Sequence, residues 1–254
     1  MDLLWKVNKF MEDNFIMKNN EILLWISIII LSIGAYFIDI NYIVILMFWV
    51  IVIISTGNAK RFYSKKLYKT STIFRRSFYV IPFILPLLTD FNINVKINNI
   101  YLWSLIGGII GIILILPKLS EWKLVLSIEL IEFSNKNPKV NYYTEIIMLI
   151  GAAIGEEIFF RNFVIGYVNN GNNFFSVGLS CFLFFLNHFG LKWNNEFDLY
   201  DYIIQIIFAI SSSILFIVSG SILPSIVAHM VYNSPLILIS FKKYLYHYTS
   251  IFKK

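Results

Sequence analysis

Apolar stretches of roughly 17 to 22 residues recur from one end of the chain to the other, and nothing else in the sequence constrains the fold as tightly. A helix rising 1.5 Å per residue needs that length to cross about 30 Å of hydrocarbon. The strands of a membrane barrel would be shorter and would alternate polar with apolar residues, which these do not. Only 14% of residues are charged, where a soluble domain has about a quarter, and the mean hydropathy is +0.71. The pattern therefore predicts an all-α polytopic membrane bundle of about eight spans. They lie near 22–38, 42–57, 77–89, 100–117, 144–168, 174–190, 202–219 and 221–240. The third is short and holds Pro82 and Pro86, so it is expected to be kinked or partly re-entrant. Residues 1–21 mix acids with lysines and lack a signal-peptide layout, which makes the first span an uncleaved anchor.

With eight spans, 19 of the 21 Lys and Arg residues fall on one side; Lys96 lies opposite and Arg161 lies inside a span. The positive-inside rule then puts both termini in the cytoplasm of what is expected to be a bacterial plasma membrane. The net charge of +6 is mostly topology, so nucleic acid is not an expected partner, although the basic stretch 58–77 would attract anionic membrane lipid. The expected organisation is a four-span scaffold with a basic loop over 1–141, a four-span core over 142–241, and a basic tail over 242–254. The lone Cys181 sits in an apolar run and reads as packing, so neither a disulfide framework nor a cysteine metal cluster is available.

Against this background the segment GEEIFFR at 155–161 is anomalous. Each charged side chain at the centre of a spanning helix costs about 2.5–3.5 kcal/mol on insertion scales. Glu157 and Arg161 are four apart with the acid first, the favourable order for a helical ion pair, which leaves Glu156 chemically available. Gly151 and Gly155 make a small-xxx-small face for a close helix neighbour. Across the turn signal NNGNN at 169–173, helical rise places His188 at nearly the depth of Glu156. In the last span His229 and Asn233 share one face.

Glu156-Glu157-x-x-x-Arg161, Phe184-x-x-x-His188 and His229-x-x-x-Asn233, in this order on three stretches of a multi-span chain, resemble the CPBP family. These are the CAAX proteases and bacteriocin-processing or bacteriocin-immunity enzymes, also called the Abi family. The resemblance covers 144–236, with Asn162 where the family often has glycine. It implies an eight-helix intramembrane endopeptidase acting on a membrane-associated protein or peptide: a CAAX-type substrate, or a pheromone or bacteriocin precursor. Glu156 would activate water, Glu157 with Arg161 would orient the site, and His188, His229 and Asn233 would complete a water-binding or metal-binding shell. A divalent metal such as zinc on Glu156, His188 and His229 is one alternative; the other is metal-free, with His229 and Asn233 holding the water and polarising the carbonyl. No HExxH helix is present.

Other readings compete. A single histidine near a helix end is more often packing than a ligand, and His247 in the basic tail reads as surface. Cys181 and Ser180 lack the oriented base that nucleophilic catalysis requires. A proton-coupled transporter would be expected to show an internal repeat, and the sequence has none. A non-proteolytic immunity or scaffold protein could keep the fold and bind a partner without cutting it. Indifference to Glu156→Gln would favour that last reading.

Overall fold

The computed structural model describes residues 19–89, 91–96, 98–167, 173–189, 199–249 and 251. The turn expected over 169–173 lies outside these, apart from Asn173, as do residues 1–18 and 190–198. Helix α1 (Asn19–Ile38) turns at Asp39, whose side chain accepts from the Asn41 N–H at 2.9 Å, into α2 (Asn41–Asn58). The third crossing is broken. It comprises α3 (Tyr68–Ser77), then α4 (Ile81–Ile84) with Pro82 in its first turn, then a tight turn over Leu85–Leu88 around Pro86. A proline cannot donate a helix hydrogen bond, which is why two prolines four residues apart divide this crossing.

Helix α5 (Ile100–Ile115) is followed by two short helices, α6 (Leu119–Val125) and α7 (Ile128–Glu132). Helix α8 (Lys139–Glu157) runs on through a π-helical turn, Ile158–Phe163, into the single turn α9 (Val164–Gly166). The last three are α10 (Asn173–Phe189), α11 (Leu199–Ser219) and α12 (Leu223–Tyr248). Among the described residues no strand occurs, and five helical segments are long and apolar enough to cross a membrane, with Ile22–Ile38 and Phe174–Phe189 as shorter apolar helices. The chain is a helical membrane bundle.

Two boundaries differ from expectation. Residues 68–77, read as part of a basic loop, are helical: Ser71 and Thr72 are buried and Arg75 and Arg76 half-buried, while Ile73 and Phe74 are exposed. The final helix continues past 240 to Tyr248, and His247 contacts the Ser134 hydroxyl at 3.2 Å instead of lying on a bare surface.

Glycine sets the closest helix contacts. A Cβ at Gly107 would lie 2.3 Å from the Pro224 carbonyl oxygen, and one at Gly111 would lie 2.6 Å from that of Ala228. Helix α5 is thus pressed backbone to backbone against α12, a GxxxG contact that joins the N-terminal half of the chain to the C-terminal half. On α8, Gly151 faces Val80, and Gly155 faces Phe83 and the Val80 carbonyl, so the expected close neighbour of that glycine face is the broken third crossing. Gly111→Leu should abolish this packing at a cost of about 3 kcal/mol or more, since the obstruction is backbone and cannot swing away. The check is the thermal midpoint in detergent, with Gly34→Ala as the tolerated control because nothing lies within 4 Å of its Cβ position.

Candidate active site

Helices α8, α10, α11 and α12 converge on one buried group of polar side chains. Glu157 and Arg161 are fully buried, and Glu156, His188 and His229 nearly so. Arg161 Nε lies 3.2 Å from Glu157 Oε2, the ion pair expected from the i, i+4 spacing. Burying such a pair is favourable only when its remaining lone pairs and protons find partners. Glu157 has them: Ser212 Oγ donates to Oε2 at 2.6 Å, and His229 Nδ1 lies 2.9 Å from Oε1. The Arg161 guanidinium sits 4.5 Å from the Phe184 ring centroid and 5.4 Å from that of Phe208, and its Nη2 reaches toward the Ala209 carbonyl at 3.5 Å. Phe184, otherwise a core residue, is therefore one wall of a cation–π clamp.

The two histidines are oriented alike. His188 Nδ1 lies 2.9 Å from the Phe184 carbonyl, which can only accept, so Nδ1 carries the proton and Nε2 presents a lone pair. His229 Nδ1 donates a hydrogen bond to the Glu157 carboxylate, so the lone pair of this imidazole is on Nε2. His188 Nε2 lies 3.8 Å from Glu156 Oε2, too far for a direct hydrogen bond, and Oε2 is buried without a hydrogen-bond partner. Glu156, His188, His229 and Asn233 all line one cavity of about 720 Å³, as do Asn187 and Gln205.

The backbone around the motif is irregular. In the π-helical turn the Val164 N–H bonds the Phe159 carbonyl, five residues back. Turns of this kind occur frequently at functional sites. Two contacts hold it: Ser180 Oγ donates to the Phe160 carbonyl at 2.5 Å, and Asn162 clasps the 91–96 segment. The Asn162 side chain accepts from the Asn94 N–H at 2.9 Å and donates to the Asn92 carbonyl at 3.0 Å. Its amide ties the strap between the third crossing and α5 to the turn. Cys181 is only half-buried, with its Sγ 3.6 Å from Ser213 Oγ and no histidine beside it, in keeping with packing.

Among the described residues no three His, Cys, Asp or Glu side chains converge as a ligand set. Sequence reasoning missed Ser212. The Ser211-Ser212-Ser213 run was its only signal, and nothing local says which hydroxyl meets a carboxylate 55 positions away. Ser212→Ala should lower kcat about tenfold with KM little changed, because it removes a hydrogen bond to a buried charge. Ser212→Thr should restore most of the rate, and steady-state kinetics on both variants checks this.

Residues 140–235, from the first turn of α8 to the middle of α12, match the family model described as type II CAAX prenyl endopeptidase, Rce1-like. No curated protein and no solved structure matches the chain. The match contains the GEEIFFR turn, the His188 helix and the His229-x-x-x-Asn233 face. By these residues the C-terminal part of the chain is similar to the CAAX-type intramembrane proteases of the CPBP family.

Proposed function

We propose that the chain is an intramembrane endopeptidase in which Glu156 activates water for hydrolysis of a peptide bond in a membrane-associated protein or peptide. The observation that carries this reading is the pairing of Glu156 Oε2 with His188 Nε2 at 3.8 Å. One water can bridge this gap, donating to the Glu156 carboxylate and meeting the His188 ring on its other side. Such a water is fixed and polarised at the edge of a cavity large enough for an extended peptide.

In the reaction Glu156 takes a proton from this water as its oxygen attacks the scissile carbonyl carbon. The developing oxyanion is received by the Asn233 amide, one helical turn from His229. Glu156 then returns the proton to the departing amine as the carbon–nitrogen bond breaks, leaving a new carboxyl end and a new amino end. Glu157, held by Arg161 and Ser212, does no proton transfer and fixes the His229 ring. His229 Nε2, facing the cavity, helps to hold the water.

A zinc ion would supply Lewis acidity and a more acidic water, but the donor set does not fit one, so no step runs through a metal. Cleavage of an internally quenched peptide library by the purified protein in lipid vesicles tests the reading. Wild type should cleave, Glu156→Gln should not, Cys181→Ala should match wild type, and a chelator should leave the rate unchanged. Loss of cleavage in Cys181→Ala with retention in Glu156→Gln would sink it.

A further inference from the structure

Besides Asn233, two carboxamides line the cavity of the candidate site: Asn187 on α10 and Gln205 on α11. They are 1% and 7% exposed, and Asn187 Oδ1 is buried without a hydrogen-bond partner. Among the described residues Gln205 likewise bonds to no side chain or backbone group. Asn162, another fully buried asparagine, is satisfied at both ends of its amide. A buried amide left unbonded costs about 1–3 kcal/mol, so these two call for a partner that the chain does not supply.

Ring contacts place the two amides side by side. Phe184 meets Phe208 at 5.8 Å between centroids and Phe189 meets Tyr202 at 5.4 Å, so α10 and α11 run antiparallel. Asn187 lies three residues after Phe184, and Gln205 three before Phe208. Each therefore stands about 4.5 Å along its helix from the Phe184–Phe208 pair, toward the same end and on nearly the same face. That level is also the level of Glu156, since Asn187 adjoins His188, whose Nε2 is 3.8 Å from Glu156 Oε2. Asn233 joins it, one turn beyond His229, whose ring packs on Phe208 at 4.7 Å.

We propose that Asn187 and Gln205 are substrate-positioning residues that bind the peptide backbone beside the scissile bond; this rests on the endopeptidase reading above. In an extended strand the N–H and C=O of one residue point to the same side, where a neighbouring strand would pair with both. Two carboxamides side by side on one wall offer the same pairing. Asn187 Oδ1 accepts the N–H of one substrate residue, and Gln205 Nε2 donates to the C=O of that residue. Carboxamides suit a backbone because they match its donors and acceptors without burying a charge. Such contacts read no side chain, so they fix how the substrate lies and leave its sequence free. Because the amides share the level of Glu156, the paired residue lies within two residues of the bond that is cut, at roughly 3.3 Å per extended residue.

Backbone esters test this without turnover. Glu156→Gln protein in phosphatidylcholine vesicles is titrated with a library of fluorescent apolar decapeptides. The tightest member is then remade as a series in which one backbone N–H at a time is replaced by oxygen. One position in the series should bind about tenfold more weakly than the all-amide peptide. Adding Asn187→Leu should weaken the all-amide peptide by about the same factor and shrink the ester effect at that position below about twofold, because the contact is already gone. Gln205→Met should also weaken the all-amide peptide about tenfold. Neither change should lower the thermal midpoint, since each replaces an unbonded buried amide by an apolar group of similar shape. A lowered midpoint with peptide affinity unchanged would make the amides structural and overturn the proposal. So would an ester effect that survives Asn187→Leu, or a library in which nothing binds. Failure of the wild type to cleave, with the ester effect intact, would overturn the endopeptidase reading and leave the backbone pairing standing.

Discussion

Arg161→Met should destabilise the protein by about 3–5 kcal/mol, the cost of leaving a buried carboxylate without its cation. Glu157 has no exposure to water and cannot turn toward it, since its two oxygens are fixed by Ser212 and His229. Methionine fills much of the arginine's volume, so the loss is electrostatic and does not come from a cavity. The double variant Glu157→Gln with Arg161→Met should recover a substantial part of the loss, because a neutral amide is far cheaper to bury than an unpaired charge. Thermal or denaturant midpoints in detergent, compared across the single and double variants, check the sign. A single variant as stable as wild type would mean that the pair is not buried as described.

Glu156→Gln should lower the turnover number by about 100-fold to 10,000-fold, the range that a positioned general base contributes. The amide is nearly isosteric and Glu156 has no ion-pair partner inside the helix, so the fold should stay intact. The two glutamates thus separate by effect: changes around Glu157 act on stability and orientation, and changes at Glu156 act on rate with stability preserved. Kinetics and melting measured on the same preparations distinguish these outcomes.

Much of this was legible in the chain because the bilayer simplifies it. Without water in the hydrocarbon, long apolar runs are helices, and polar residues inside them stand out. The i, i+4 spacing disclosed the Glu157–Arg161 pair, and equal helical rise on either side of 169–173 anticipated the approach of His188 to Glu156. What stayed hidden depends on contacts between distant segments. Residues 68–77 looked like loop because their cations mask two buried hydroxyls. The GxxxG of α5 was lost within a uniformly apolar run, since hydropathy does not say which glycine meets a backbone. The π-helical turn has no signature in residue types, and the hydroxyl that supports it belongs to Ser180, on another helix.

The most direct measurement of the central claim is mass spectrometry of peptide products made in ¹⁸O-enriched water by wild-type protein and by Glu156→Gln, both in lipid vesicles. Hydrolysis by water activated at Glu156 predicts new carboxyl ends carrying one ¹⁸O with wild type, and none above background with the variant. Labelled products at equal rates from both proteins, or no new carboxyl ends from wild type across the library, would contradict it.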